Sequence, residues 1–168
     1  MNFPQAILFD LDGVLLDTEH ILADAWSETS KEFNHNLSED KLCELQGRTK
    51  TDCAKKLIEW INKEISIEEL LSIQKLKLNN KITKAKPFKG AIDLIKFCLK
   101  IELPIALVTS SSKDSFKIKS FVNPWLKLFQ VKILGDDEFV DKGKPAPDPY
   151  LRAIERLDVD PKHTWVIE

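Results

Sequence analysis

Four short apolar runs punctuate the chain, and each gives way to polar residues. Ala6-Ile7-Leu8-Phe9 stops at Asp10, and Pro104-Ile105-Ala106-Leu107-Val108 stops at Thr109. Val131-Lys132-Ile133-Leu134 stops at Gly135-Asp136, and Trp165-Val166-Ile167 at Glu168. None shows an amphipathic period and all are short, so they read as buried strands. Between them the period changes. Ile21, Ala25, Thr29 and Phe33 recur at helical spacing beside Leu22 and Trp26, forming one helix face with Asp17 or Thr18 as its N-cap. Leu37 to Thr83 reads as three more helical stretches, broken near Gly47, Asn62 and Asn79, with interleaved Lys and Glu marking solvated faces. Further helices are predicted over Ala91 to Leu99, near Asp114 to Phe121, and from Asp148 to about Leu157. In the last of these Asp148 is the expected cap and Pro149 the first helical residue.

Short buried strands alternating with helices imply an α/β fold with a Rossmann-like parallel sheet. The helical block over 18–86 interrupts that sheet after its first strand. We therefore expect a discontinuous core, 1–17 with 87–168, carrying an inserted helical cap. In such sheets ligands sit beyond the carboxyl ends of the strands. Asp10, Thr109, Gly135-Asp136 and Glu168 should converge there.

Bulk composition narrows the classes. The 168 residues suffice for one core and a modest accessory lobe. A net charge of −2 with no basic run argues against nucleic-acid or membrane partners. No stretch approaches the ~20 apolar residues of a membrane span, and MNFPQAILF lacks the basic start of a signal peptide. Cys43, Cys53 and Cys98 are odd in number and have no metal-type spacing; Cys43 and Cys53, in helix-like segments, read as reduced, half-buried small residues, and the protein as cytoplasmic.

The chemistry concentrates at the strand ends. Asp10 and Asp12 lie on the same side of an extended segment. At roughly 5 Å and an effective dielectric of about 20, two such carboxylates repel by ~3 kcal/mol. Either a divalent cation binds between them or one keeps a proton. An enzyme that transfers phosphate gains from both, with one aspartate as nucleophile, the other as proton donor, and Mg²⁺ neutralising phosphate charge. Thr109 and Ser110 offer hydroxyls and backbone N–H groups to an anion where a strand meets a helix. Lys144, in Gly143-Lys144-Pro145-Ala146-Pro147, is a cation on a segment stiffened by two prolines.

Together FDLDGVLLDTE, VTSSS, GKPAPDPY and WVIE resemble the four motifs of the haloacid dehalogenase-like hydrolase superfamily, in its capped phosphatase and β-phosphoglucomutase branch. The resemblance spans essentially the whole chain. It implies that Asp10 becomes an aspartyl-phosphate and that Asp12 protonates the leaving group and then activates water. Thr109 and Lys144 would grip the phosphoryl group. Mg²⁺ would be held by Asp10, the Asp12 backbone carbonyl and an acid of the fourth motif, for which Glu168 serves at most as an indirect or substitute ligand. An aspartate at position 12 excludes the founding dehalogenases, whose halide leaving group needs no proton. The fourth motif normally continues with a metal-binding aspartate, a helix and another strand. We accordingly expect a truncated chain or a fragment, weak or inactive by itself and prone to self-association through an exposed Trp165–Ile167 edge, with an active and monomeric full-length parent.

Substrate choice should lie in the cap, where Arg48 and Lys50 of Gln46-Gly47-Arg48-Thr49-Lys50 are candidate contacts to a second polar part of the substrate. The mutases carry a histidine four residues after the opening threonine of the first cap helix. That position here is Leu22, which favours a Mg²⁺-dependent phosphatase of a small phosphorylated metabolite, of sugar or polyol phosphate type. A sugar phosphomutase and a non-catalytic binder of phosphometabolites or partners are the alternatives. Asp17 reads as a helix cap, His163 as an exposed turn residue, and the four tryptophans as core.

Overall fold

The computed structural model of the protein describes residues 3–46 and 48–168. It divides into two compact units, residues 1–17 with 86–168 and residues 18–85.

The first unit is an α/β layer structure. Strands β1 (Ala6–Phe9), β4 (Ile105–Val108), β5 (Val131–Ile133) and β6 (Thr164–Ile167) form one parallel sheet in the order β5-β4-β1-β6. These are the four apolar runs, the second and third each one residue shorter and the fourth one residue longer than predicted. β1 and β4 are buried at every position, as unbroken apolar runs in a central parallel strand require. Leu8, Ala106, Val108, Val131 and Ile133 pack on Ala153 of helix α7 (Asp148–Leu157), with Tyr150, Ile154 and Leu157 around it. Phe9 meets Phe129 edge to face, with ring centroids 6.1 Å apart. Helices α5 (Ala91–Lys100) and α6 (Lys113–Val122) precede and follow β4. A two-residue antiparallel ribbon, β2 (Leu16–Asp17) with β3 (Lys86–Pro87), closes this unit where the chain leaves and returns. Nothing in the sequence pattern signals a ribbon that short.

The second unit holds α1 (Glu19–Lys31), α2 (Glu39–Leu45), α3 (Lys50–Ile61) and α4 (Ile67–Ile82). Ser38, Thr49 and Ser66 each accept a backbone N–H as N-caps of the last three. Its core gathers Trp26, Leu45, Cys53, Ala54, Leu57, Ile61 and Leu70. Among the described residues no helix is long and apolar enough to cross a membrane.

Several expectations need correction. Asn79 does not break the last helix, because α4 runs on through Asn79 and Asn80 to Ile82. Gly47, the expected break between α2 and α3, lies outside the described residues. Asn62 does end α3, in the left-handed conformation that asparagine tolerates. Asp148 is not the cap of α7; Pro147 holds that position, and the Asp148 carboxylate accepts the Lys142 N–H at 3.2 Å instead. Cys43 is exposed rather than half-buried, while Cys53 and Cys98 are buried. Of the tryptophans only Trp26 is core. Trp60 and Trp125 are half-buried and Trp165 is 55% exposed on the edge strand β6.

Candidate active site

Parallel pairing fixes the site before any side chain is considered. Phe9 is level with Ile167 on β6 and with Leu107 on β4. The residues that follow, Asp10, Glu168 and Val108-Thr109, therefore emerge at one edge of the sheet. The Asp10 N–H donates to the Ile167 carbonyl at 2.9 Å and the Thr109 N–H to the Ile133 carbonyl at 3.0 Å, so both backbones are tied into the ladder at their last residues.

Lys144 joins two of these ends. Its ammonium donates to Asp10 Oδ1 at 2.8 Å and to Glu168 Oε1 at 3.0 Å. Tyr150, on the first turn of α7, places its ring 5.0 Å from the same ammonium and donates its hydroxyl to Glu168 Oε2. Burial raises the Asp10 pKa above the ordinary carboxylate value, and Lys144 only partly offsets this. Burial disfavours the Lys144 ammonium, but Asp10, Tyr150 and Glu168 together hold its pKa above the usual lysine value. For Glu168 burial is likewise outweighed, by the Tyr150 hydroxyl and the Lys144 ammonium, and its pKa is lowered. Burial and the Glu168 contact push the Tyr150 phenol up to about 12.

Asp12 has a different partner. The loop after β1 turns at Gly13, whose φ of +80° suits glycine, and Gly13 donates to the Leu16 carbonyl at 2.9 Å. The Asp12 carboxylate then receives Lys119 from α6 on both oxygens at 2.6 Å, and the Ser111 hydroxyl on Oδ2 at 2.8 Å. The two neighbouring acids are thus each given a separate ammonium.

The loop between β4 and α6 is set by its own groups. Thr109 is buried and its Oγ1 accepts the Ser111 N–H at 3.1 Å. Ser112 caps α6, and the Asp136 carboxylate takes the Lys113 N–H at 2.9 and 3.0 Å. Ser110 is exposed, and its backbone lies so close to Gly135 that a Cβ there would sit 2.2 Å from its carbonyl oxygen. Asp10, Lys144 and Glu168 are bonded directly, then, whereas Asp12 turns to Lys119 and Ser111. Arg48 and Lys50 belong to the other unit. Arg48 lies exposed after α2, its Nε on the Glu44 carbonyl at 2.6 Å, and Lys50 is the exposed first residue of α3.

Ser111, Lys119 and Tyr150 were not picked out from sequence. Ser111 lay within the quoted TSSS stretch, and Tyr150 within GKPAPDPY. Lys119 had a faint signal, a lysine in helical phase with Phe116 and Asn123.

Asp10 and Glu168 both reach one cationic centre with oxygen donors, the hard donor type that Mg²⁺ takes. Among the described residues no three His, Cys, Asp or Glu side chains gather into a closed metal cage. The remaining positions of such an ion would fall to backbone carbonyl, water or substrate phosphate, as is common for Mg²⁺. The residues present fit that ion.

Comparison with known proteins gives the family. The family profile described as haloacid dehalogenase-like hydrolase matches residues 7–168. A probable pseudouridine-5'-phosphatase of Saccharomyces cerevisiae is 33% identical over 178 residues, covering 98% of this chain and 74% of its own length. A phosphorylated carbohydrates phosphatase of Thermotoga maritima is 28% identical, over 98% of this chain and 76% of its own. Among solved structures, a family IA hydrolase of Entamoeba histolytica superposes with a TM-score of 0.81 at 30% identity, covering 96% of this chain and 74% of that one. A match that begins in β1 and runs to Glu168 takes in every strand end described above, and we conclude that the chain belongs to the haloacid dehalogenase-like hydrolase family.

Proposed function

We propose that the chain hydrolyses a small phosphorylated metabolite, of sugar or polyol phosphate type, through a phosphoryl group carried on Asp10, with Mg²⁺ as cofactor. It is a phosphoric monoester hydrolase by family, and its relatives named above are phosphatases. The observation that carries the reading is the shared ammonium of Lys144, which brings Asp10 and Glu168 together at the ends of adjacent strands.

Asp10 is the nucleophile because it is the acid on the central strand, held by the ladder through its own N–H. One Asp10 oxygen forms a bond to phosphorus while the ester P–O bond breaks. Asp12 delivers its proton to the departing alkoxide, then takes one from the water that attacks the aspartyl-phosphate. That second attack breaks the bond to Asp10 and releases inorganic phosphate. Lys144 holds the transferring phosphoryl oxygens, with the Thr109 and Ser110 segment donating beside it. Asp10, the Asp12 carbonyl and Glu168 would hold Mg²⁺, which would supply charge neutralisation to the phosphate. Residues 18–86 serve as the cap, with Arg48 and Lys50 as substrate contacts, and the cytoplasm is the compartment.

Hydrolysis of para-nitrophenyl phosphate with and without Mg²⁺ tests this directly. Wild type should release nitrophenol only with the metal, and Asp10→Asn should fall to the uncatalysed background. Equal rates for the two proteins would end the proposal.

A further inference from the structure

Among the described residues Lys119 is the only charged side chain that is buried, at 3% exposure. It sits on α6, where Lys113 and Lys117 point to solvent. Lysine ordinarily reaches outward along its flexible stem. Burying its ammonium carries a large desolvation cost, and an apolar residue of similar volume would generally pack there at least as well. Lys119 instead spends all three donors inward, two on Asp12 at 2.6 Å and one on Ser111 Oγ at 2.7 Å. Ser111 closes the triangle by donating to Asp12 Oδ2 at 2.8 Å. The triangle is itself fixed. Gly135 donates to the Ser111 carbonyl at 2.9 Å, and the Asn123 amide holds the Lys119 carbonyl at 3.3 Å.

We infer that Lys119, acting with Ser111, is a positioning residue for Asp12, setting the direction from which that carboxyl group exchanges a proton with the leaving oxygen. The inference rests on the proposed role of Asp12. The loop bearing Asp12 is short and turns at Gly13, so its backbone leaves the side-chain direction open. Lys144 is occupied with Asp10 and Glu168, whereas Lys119 and Ser111 are both bonded directly to the Asp12 carboxylate. Proton delivery needs the donor within hydrogen-bond reach of the leaving oxygen. A clamp on both carboxylate oxygens restricts the carboxyl group to one arc.

The test exploits leaving-group chemistry. An aryl monoester departs as a stabilised phenolate that needs little protonation, whereas an alkyl monoester departs as a basic alkoxide. With para-nitrophenyl phosphate and glycerol 2-phosphate as probes, kcat/KM reports the step that breaks the ester bond. Lys119→Met keeps the side-chain volume and removes the donors. It should lose at least about tenfold more kcat/KM on the alkyl ester than on the aryl ester, a part of the roughly 10²–10⁴-fold that a general acid supplies. Lys119→Arg should recover part of that difference. Ser111→Ala should show the same selectivity at smaller amplitude, and it carries the comparison if Lys119→Met does not fold. Equal fractional losses on both esters, or no loss on either, overturn the inference while Asp10→Asn remains inactive. Wild type matching Asp10→Asn on both esters removes the functional reading itself, and this inference with it.

Discussion

Gly135→Ala offers the sharpest quantitative test of how the site is assembled. An added Cβ would lie 2.2 Å from the Ser110 carbonyl oxygen and 2.6 Å from its carbon. Ordinary contact begins at 3.4 Å, so the two loops must separate by about 1.2 Å. Both obstructing atoms are backbone and cannot rotate aside. Overpacking of this kind costs about 1–3 kcal/mol. At about 2 kcal/mol, a chain of this size should lose roughly 4–8 °C in Tm. The movement also strains the Gly135 bond to the Ser111 carbonyl, and through it the Ser111 hydroxyl on Asp12. Displacing a catalytic carboxylate by about 1 Å costs on the order of 10²-fold in rate. Thermal unfolding followed by circular dichroism gives the first quantity, and kcat/KM on an alkyl phosphate the second. Gly143→Ala is the control, since a Cβ there meets nothing within 4 Å. If Gly135→Ala melts with Gly143→Ala and turns over substrate at the same rate, the close approach does not constrain the site.

Lys144→Met should leave Asp10 and Glu168 without their common cation and lower kcat by about 10²–10³-fold; a loss under tenfold in steady-state assays would remove Lys144 from phosphoryl binding. Chelation by EDTA should abolish turnover and added Mg²⁺ restore it, and a rate indifferent to EDTA would exclude the proposed cofactor. Burial pushes the Cys53 and Cys98 thiols up, so little of either is thiolate at pH 8. Ellman's reagent should therefore titrate one thiol quickly, exposed Cys43, and all three only after denaturation, whereas two or three fast thiols would contradict the packing. Leu57, fully buried in the helical unit, should cost about 2–5 kcal/mol on change to alanine, read by urea unfolding, and a loss below about 1 kcal/mol would mean that its core is loosely packed.

Two neighbouring aspartates in one small volume pose an electrostatic problem that the sequence raises without resolving. One available answer was a divalent cation and the other a shared proton. The structure adds to these a separate lysine for each acid. Lys144 reaches Asp10 from the loop before α7, and Lys119 reaches Asp12 from α6. The mutual repulsion estimated from the motif alone is offset by attractions of shorter range. Asp10 nevertheless keeps a raised pKa, since burial remains the largest influence on it.

What the chain discloses by itself is local. Short apolar runs without an amphipathic period made β1, β4, β5 and β6 readable as strands, although only β1 and β4 are buried at every position and β6 exposes Trp165 and Val166. The polar residue ending each run named Asp10, Thr109 and Glu168 before any pairing was known. Periodicity likewise located α1, and the Asp148-Pro149 start signal located α7, although the cap of α7 is Pro147. Pairings across long sequence separations were decided only by the tertiary structure. On α6 hydropathy points the wrong way, with Phe121 83% exposed and Lys119 buried. Nothing near Lys119 in sequence explains its burial, because Asp12 is 107 positions away. A buried ammonium is tolerable only when its counter-charge is already in place, and that counter-charge arrives only once β1 and β4 have paired. Strand formation follows from the hydrophobicity of adjacent residues, but the choice of ionic partner follows from where the folded backbone delivers each charge.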